Sequence, residues 1–241
     1  MTMRLRSFSA VLVGGLAAVG LTACGPGETF EDDATLKERV TTVRLDTGTG
    51  SVTLRGREGS GEISIHRAFT YHGDKPSGST HRFEEGRLTL GGCGDDCKVD
   101  YTVEVPVGVS VDGSTTTGDA NLSRVGTVDL RTDSGDVTLE GVAGPVKART
   151  GNGDISGKDL RGGRIDTETS NGEIDLTPGE AQDIRAKTSN GGLTVNLPDD
   201  SYRFSVKTGK GEQDIGIRND KSGRHHVELT SGNGDIKVNP A

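Results

Sequence analysis

Apolar and polar residues alternate along most of the chain, in short runs that meet at a glycine. Seven of these glycines follow one another at steps of 17, 18, 19, 19, 20 and 23 residues: Gly118, Gly135, Gly153, Gly172, Gly191, Gly211 and Gly234. Seven residues before each glycine stands a β-branched or aromatic side chain, as at Val128, Ile165 and Phe204. Alternation predicts half-buried strands, and the regular spacing predicts a stacked repeat.

The repeat has fixed inward positions. Those seven, five and three residues before each glycine share one face of a strand, and those two and four after it share one face of the next. Between them, Asn and Gly supply turn chemistry because both tolerate positive φ. Each repeat is predicted to form one coil of two strands and a short return. Seven parallel coils about 4.8 Å apart would make a rod of about 34 Å.

The predicted fold is all-β: a right-handed parallel β-helix, or β-solenoid, over residues 109–241. Residues 40–108 include one segment that fits the repeat, with Gly50 as its glycine, and then alternate less regularly. We interpret them as an irregular β cap that is continuous with the solenoid. Residues 218–226 lengthen the last step and are predicted to fold over the final coil, whose edge would otherwise be exposed.

Composition agrees with a thin stacked core. Aromatic residues make up 3% of the chain, Trp is absent and 38 residues are Gly. A globular core of this size normally uses large aromatic side chains, whereas coils of Val, Ile, Leu and Ala do not need them. The formal charge of −8 argues against nucleic acid and against adsorption on anionic lipid.

Residues 1–23 have the features of an export signal, with Arg4 and Arg6 before a short apolar run. The run ends in Leu-Thr-Ala-Cys24, which resembles the bacterial lipobox. This resemblance implies cleavage before Cys24 and lipidation of Cys24, with acyl chains as the attachment to the membrane. The alternative is an ordinary signal peptide with an incidental Cys. Residues 24–39 are polar and acidic and are predicted to be a tether.

Two cysteines remain after Cys24 is modified. In an oxidising envelope Cys93 and Cys97 can pair, and we predict a disulfide that clips one loop. A zinc site would need two more ligands at suitable spacing, and the sequence does not supply them.

An acidic residue follows the glycine in four consecutive repeats, at Asp119, Asp136, Asp154 and Glu173. Neighbouring carboxylates about 4.8 Å apart repel by about 1 kcal/mol each. One interpretation is that each carboxylate accepts amide hydrogen bonds of the turn and stays solvated. The other is a ladder of cation sites in which Ca²⁺ bridges successive carboxylates. Other outward columns alternate in sign, as at Asp129, Lys147, Asp166 and Arg185, and are predicted to support the register.

The lipobox, the segment Val-Glu-Val-Pro-Val-Gly-Val over residues 103–109 and the tandem Thr-x-x-Gly-[Asp/Glu]-[Ile/Val] units resemble the bacterial β-strand-repeat envelope lipoproteins of the putative adhesin family. The resemblance covers about residues 40–238. It implies the solenoid fold, and it brings no catalytic residues with it.

We therefore predict a lipid-anchored, outward-facing, non-catalytic binding or scaffold module without a cofactor, whose partner is an envelope polymer or envelope protein. One alternative is a carbohydrate-active β-helix enzyme that uses the outward carboxylates beside Arg131 and Arg149. Another is a sensor or accessory subunit for envelope stress. The segments that break the repeat are the predicted places for binding: residues 71–81, 93–97, 197–203 and 218–226.

Overall fold

The computed structural model describes residues 27–59 and 61–241, which form 21 β-strands. The predicted signal segment and Cys24 lie outside the described residues. No helix in the described part is long and apolar enough to cross a membrane. The strands before the regular repeats are β1 (Glu28–Leu36), β2 (Thr42–Thr49), β3 (Val52–Arg57), β4 (Ile63–Tyr71), β5 (His81–Glu84), β6 (Arg87–Gly91) and β7 (Cys97–Pro106).

The remaining strands alternate between longer and shorter members. They are β8 (Ser110–Thr117), β9 (Ala120–Ser123), β10 (Val128–Ser134), β11 (Val137–Glu140), β12 (Val146–Asn152), β13 (Ile155–Leu160), β14 (Arg164–Asn171), β15 (Ile174–Pro178), β16 (Asp183–Asn190), β17 (Leu193–Leu197), β18 (Tyr202–Lys210), β19 (Gln213–Ile215), β20 (His225–Asn233) and β21 (Ile236–Pro240). Sheet I has 11 strands in the order β1-β4-β7-β3-β9-β11-β13-β15-β17-β21-β19, and sheet II has 10 in the order β18-β20-β16-β14-β12-β10-β8-β2-β6-β5.

Each coil contributes one strand to sheet II and the next strand to sheet I, and neighbouring coils pair in parallel. The predicted β-solenoid with two strands per coil is thus confirmed. The predicted inward positions are buried: in the coil of β10 and β11, Val128, Leu130, Thr132, Val137 and Leu139 are each at most 1% exposed. The inward side chains of all coils form one apolar core between the sheets.

The repeat glycines stack on one another at the corner between the two sheets. Gly172 has φ of 153°, and a Cβ there would collide with the carbonyl oxygen of Gly153 in the neighbouring coil. At Gly172 and Gly191, the inward Thr three residues earlier bonds to the glycine of the neighbouring coil. Thr169 Oγ1 donates to the Gly153 carbonyl at 2.9 Å, and Thr188 Oγ1 donates to the Gly172 carbonyl at 3.0 Å. The corner therefore requires Gly for its conformation and favours Thr for its hydroxyl.

The coils do not stack in the order of the chain. At the C-terminal end, β20 and β21 insert between the coil of β16–β17 and that of β18–β19, which becomes the terminal coil. Near the N-terminus, β6 and β7 form a coil outside β2 and β3, and the chain then crosses to β8 and β9 on the other side. The expectation of uninterrupted sequential stacking is wrong at both ends. The described residues form nine coils, which corresponds to about 38 Å between the first and the last.

The N-terminal cap is larger than predicted. Strand β4 pairs antiparallel with β7, and β1 pairs antiparallel with β4 from Glu28 to Leu36. The predicted tether over residues 24–39 is therefore wrong for this segment, because the inward side chains of β1 pack on the cap. Phe30 stacks on Phe69 with ring centroids 4.3 Å apart. On sheet II, β5 covers β6 in the same antiparallel way.

Candidate functional site

The four predicted carboxylates lie one above another at the start of sheet I strands in adjacent coils. We call Asp119, Asp136, Asp154 and Glu173 the carboxylate ladder. Each of the first three accepts a hydrogen bond from the backbone N–H of the next: Asp136 N to Asp119 Oδ1 at 3.0 Å, Asp154 N to Asp136 Oδ1 at 2.8 Å, and Glu173 N to Asp154 Oδ1 at 2.7 Å. The same geometry recurs between the two last coils of the stack, where Glu212 N donates to Asp235 Oδ1 at 2.9 Å.

These bonds favour the first interpretation of the ladder. A hydrogen bond from a backbone N–H to a charged carboxylate is stronger than one to a neutral acceptor. This stabilisation offsets the repulsion between neighbouring carboxylates. Within residues 27–59 and 61–241, no group of three or more His, Cys, Asp or Glu side chains is arranged to hold a metal ion. The arrangement is that of a structural cap for each coil, with one carboxylate oxygen committed to the neighbouring turn.

Outward charges on sheet II form ion pairs between coils, but of the predicted column only Asp129 and Lys147 pair with each other, since Asp166 lies nearest Arg149 and Arg185 nearest Glu228. Lys147 Nζ lies 3.1 Å from Asp129, and Glu168 accepts from Lys187 at 2.8 Å and from Arg149 at 3.4 Å. The Lys187 hydrogen bond, and secondarily Arg149, lowers the pKa of Glu168 below its ordinary value. Arg131 instead lies 3.7 Å from Asp133 of its own strand. This face supports the register, and both arginines of the alternative enzyme interpretation lie beside carboxylates of sheet II.

A second ladder at the corner was not predicted. Asn171 Nδ2 donates to Asn152 Oδ1 at 2.8 Å, Asn190 to Asn171 at 2.9 Å, and Asn233 to Asn190 at 2.9 Å. The Asn that precedes four of the seven repeat glycines was interpreted as a residue that tolerates positive φ. Apart from glycines, however, only Glu85, Asp96, Arg124 and Asp159 have positive φ among the described residues. The repeated Asn-Gly pair therefore marks an amide stack, and its recurrence at one position is the signal for it.

Two of the predicted binding segments meet on the cap. Cys93 and Cys97 form a disulfide with Cα atoms 5.6 Å apart, and the backbone N–H of His72 donates to Asp96 O at 3.1 Å. Beneath them, Tyr101 Oη donates to Thr80 Oγ1 at 2.6 Å. Burial raises the pKa of Tyr101 to about 12, against the opposing effect of its hydrogen bonds. Thr80 also accepts from Arg67, which is 7% exposed and forms two bonds with Asp32.

The other two segments, residues 197–203 and 218–226, lie together at the opposite end. Arg224 Nη2 donates to both oxygens of Asp200 at 2.9 Å. The Ser201 backbone N–H and then Arg224 lower the pKa of Asp200. Asp220 N donates to Tyr202 O at 2.9 Å, so residues 218–226 contact β18. The predicted cover over the coil of β20 and β21 is wrong, because that coil is internal and β18 and β19 form the last one. Residues 218–226 cover only the beginning of β18, because their main role is to carry the chain back for the insertion of β20.

The terminal coil of β18 and β19 leaves the rod open, and we call this side the open end. Phe204, Val206 and Ile215 are only partly buried, whereas their partners one coil inward, Val227, Leu229 and Val238, are each 0% exposed. Sequence reasoning missed this surface because it placed the coil of β20 and β21 last. The available signal was Gln213, the one polar residue in an otherwise apolar inward column.

The comparisons with known proteins identify relatives of the whole repeat region. The family model described as Toastrack DUF4097 matches residues 33–239. No curated protein matches the chain. One similar solved structure is a putative adhesin from Parabacteroides distasonis ATCC 8503, at 11% identity over 88% of this chain and 98% of that one, with a TM-score of 0.46. Another is a putative cell adhesion protein from Clostridium sporogenes ATCC 15579, at 12% identity over 89% and 100%, with a TM-score of 0.38.

Proposed function

This chain belongs to the Toastrack DUF4097 family, and we propose that it is a non-catalytic binding or scaffold module held on the outer face of the cell membrane by acyl chains on Cys24. Its partner in this proposal is an envelope polymer or another envelope protein. The proposal rests mainly on one observation, which is the different construction of the two ends of the rod.

The capped end begins next to the proposed anchor. Strand β1 starts at Glu28, which is 28 − 24 = 4 positions after Cys24. Lipid on Cys24 would therefore hold the antiparallel cap close to the bilayer. The open end lies ten strand spacings from β1 along sheet I, which corresponds to about 48 Å. A rigid rod anchored in this way directs its open end away from the membrane. This is the arrangement expected of a module that binds a partner outside the cell.

The chemistry of the carboxylate ladder supports binding over catalysis. An acid or base catalyst needs a carboxyl group free to exchange a proton with substrate. Asp119, Asp136 and Asp154 each hold the backbone N–H of the next coil. Removing those bonds during a reaction would loosen the stack itself.

The anchor is tested by labelling cells with an alkyne-bearing fatty acid. The wild-type chain should carry the label and fractionate with membranes, whereas Cys24→Ser should lose the label. A double variant with Cys93→Ser and Cys97→Ser is the matched control and should keep it. Equal labelling of Cys24→Ser and wild type would refute the anchor.

Binding is tested separately, by photo-crosslinking of the anchored chain in living cells. A crosslinker at Asp214, an exposed position of β19 in the terminal coil, should capture an envelope component, and one at Glu31 on the capped end should capture little. Glycan breakdown that is abolished in a variant with Asp136→Asn, Asp154→Asn and Glu173→Gln would instead establish the enzyme alternative.

A further inference from the structure

We propose that the free edge of β18 binds an extended acidic peptide, which adds to sheet II as one more strand. This inference rests on the proposed binding function and assigns it a surface and a class of partner. We define the free edge as residues 205–210. Strand addition supplies affinity through backbone hydrogen bonds and specificity through alternate side chains.

The first argument is the unpaired backbone. In the described part of the chain, β18 is the last strand of sheet II and pairs with β20 along its length, and a single bridge joins Tyr202 to Asn219 on its outer side. On its outer side, Asp220 N donates to Tyr202 O and Asn219 Oδ1 accepts from Phe204 N at 3.2 Å. The N–H and C=O groups of one residue point to the same side of a strand, and alternate residues share that side. Val206 and Thr208 therefore direct their backbone N–H and C=O groups outward. Both residues follow Phe204, which is the residue that Asn219 contacts.

The second argument is the incomplete core. Phe204 and Val206 of β18 and Ile215 of β19 stand in the inward columns but are partly exposed. Every other coil has a neighbour on both sides, and its equivalent side chains are buried. An added strand with apolar residues on its inner face would cover Phe204 and Val206. Each apolar side chain buried in this way contributes roughly 1–2 kcal/mol of transfer free energy.

The third argument is charge. The outward positions of β18 and its end carry Arg203, Lys207 and Lys210, in a chain whose formal charge is −8. None of these three cations forms an ion pair in the part of the chain that the structure describes. The next acidic residues along the chain, Glu212 and Asp214, lie in the following turn and in β19. Acidic residues on an added strand would lie directly beside these cations.

The same cations argue against a second copy of the chain as the occupant. Lysine on an edge strand discourages pairing with an identical edge, because it brings like charges together. Two β18 strands side by side would face their Arg203, Lys207 and Lys210 sets against each other. An acidic strand has no such cost. The expected partner therefore alternates acidic residues, beside the cations, with apolar residues over the core.

The test uses the purified full chain in detergent and a fluorescent peptide of about eight residues that alternates Val and Glu. We expect saturable binding that weakens as salt rises, and no binding of the matched Val and Lys peptide. Lys207→Glu should weaken binding about tenfold or more. Lys158→Glu, an exposed lysine in β13 on sheet I, is the control and should leave it unchanged. Unchanged affinity in Lys207→Glu would overturn the proposal.

Hydrogen exchange distinguishes strand addition from simple charge attraction. The peptide should slow exchange of the Val206 and Thr208 amides in the wild-type chain, without any substitution that could impair folding. Binding without that protection, or self-association of the chain in sedimentation in place of peptide binding, would refute the proposed mode. Either failure would leave the fatty-acid labelling and in-cell crosslinking results intact, so the broader function is judged separately.

Discussion

The backbone N–H of Asp136 donates to the carboxylate of Asp119 at 3.0 Å, across two coils that are 17 residues apart in the chain. The bond explains how a column of like charges persists in a stable rod. Asp119, Asp136 and Asp154 each hold the start of the next coil, so charge repulsion is offset by charge-assisted hydrogen bonds.

Removing one acceptor from the ladder should weaken the rod. Asp136→Ala leaves the Asp154 N–H without its partner and should lower the free energy of unfolding by about 1 kcal/mol. Asp136→Asn keeps an oxygen acceptor and should cost less than half as much. Urea titration followed by circular dichroism measures both variants. Both variants remove the charge, so an equal loss in Asp136→Asn and Asp136→Ala would show that charge, and not hydrogen bonding, is the required property.

Calcium separates the two interpretations of the same ladder. If the carboxylates act as hydrogen-bond acceptors, millimolar Ca²⁺ should produce neither binding heat in calorimetry nor a rise in Tm. A rise in Tm with Ca²⁺ that disappears in the variant with Asp136→Asn and Asp154→Asn would establish the cation ladder instead.

A methyl group at the glycine corner should be severely destabilising. Gly172→Ala adds a Cβ at φ of 153° against the Gly153 carbonyl, and strain plus overpacking should cost about 2–4 kcal/mol. The matched control is Gly48→Ala, whose Cβ would meet nothing within 4 Å. It should change stability by less than about 0.5 kcal/mol. Equal unfolding midpoints for the two variants would contradict the assigned role of the corner.

Acid should remove the contribution of Glu168. The folded pKa of this carboxyl is lowered, first by Lys187, so its stabilisation is present above the ordinary pKa and is lost as the pH falls through the folded value. The Tm difference between wild type and Glu168→Gln should be largest near pH 7 and vanish well below pH 4.5. Glu140→Gln on sheet I serves as the control and should give a small difference throughout.

Alkali should act through the tyrosines. Burial raises the pKa of Tyr101 and of Tyr202 to about 12, and the hydrogen bond to Glu28 raises that of Tyr71. A raised folded pKa means that stability is intact below the ordinary value of 10.0 and declines as the pH rises towards 12. Tyrosinate absorbance should therefore appear late and together with unfolding. Tyr101→Phe should reduce the slope of Tm against pH above 10. Ordinary titration of all three tyrosines in the folded chain would contradict this prediction.

The repeat itself could be predicted because its causes are local. Alternation indicated which side chains face inward, as at Val128 and Leu130, and the glycine spacing predicted the coils. The choice between two and three strands per coil came from the two sheets of the structure. The carboxylate column followed from the same spacing. The contacts between Asp119 and Asp136 were needed to favour one of its two interpretations. A column of acidic residues in a sequence does not show which hydrogen-bond donors lie beside the carboxylates.

The order of the coils was decided only by the tertiary structure. Corresponding positions carry similar residues in every coil, so the parallel register of β16 fits β20 as well as it would fit β18. Burial then distinguishes them. Gln213 would place an amide in the core of an internal coil, where an unpaired polar group is costly, whereas at the terminal coil it stays exposed. The sequence thus determined the shape of a coil, and the core determined which coil remained at the open end.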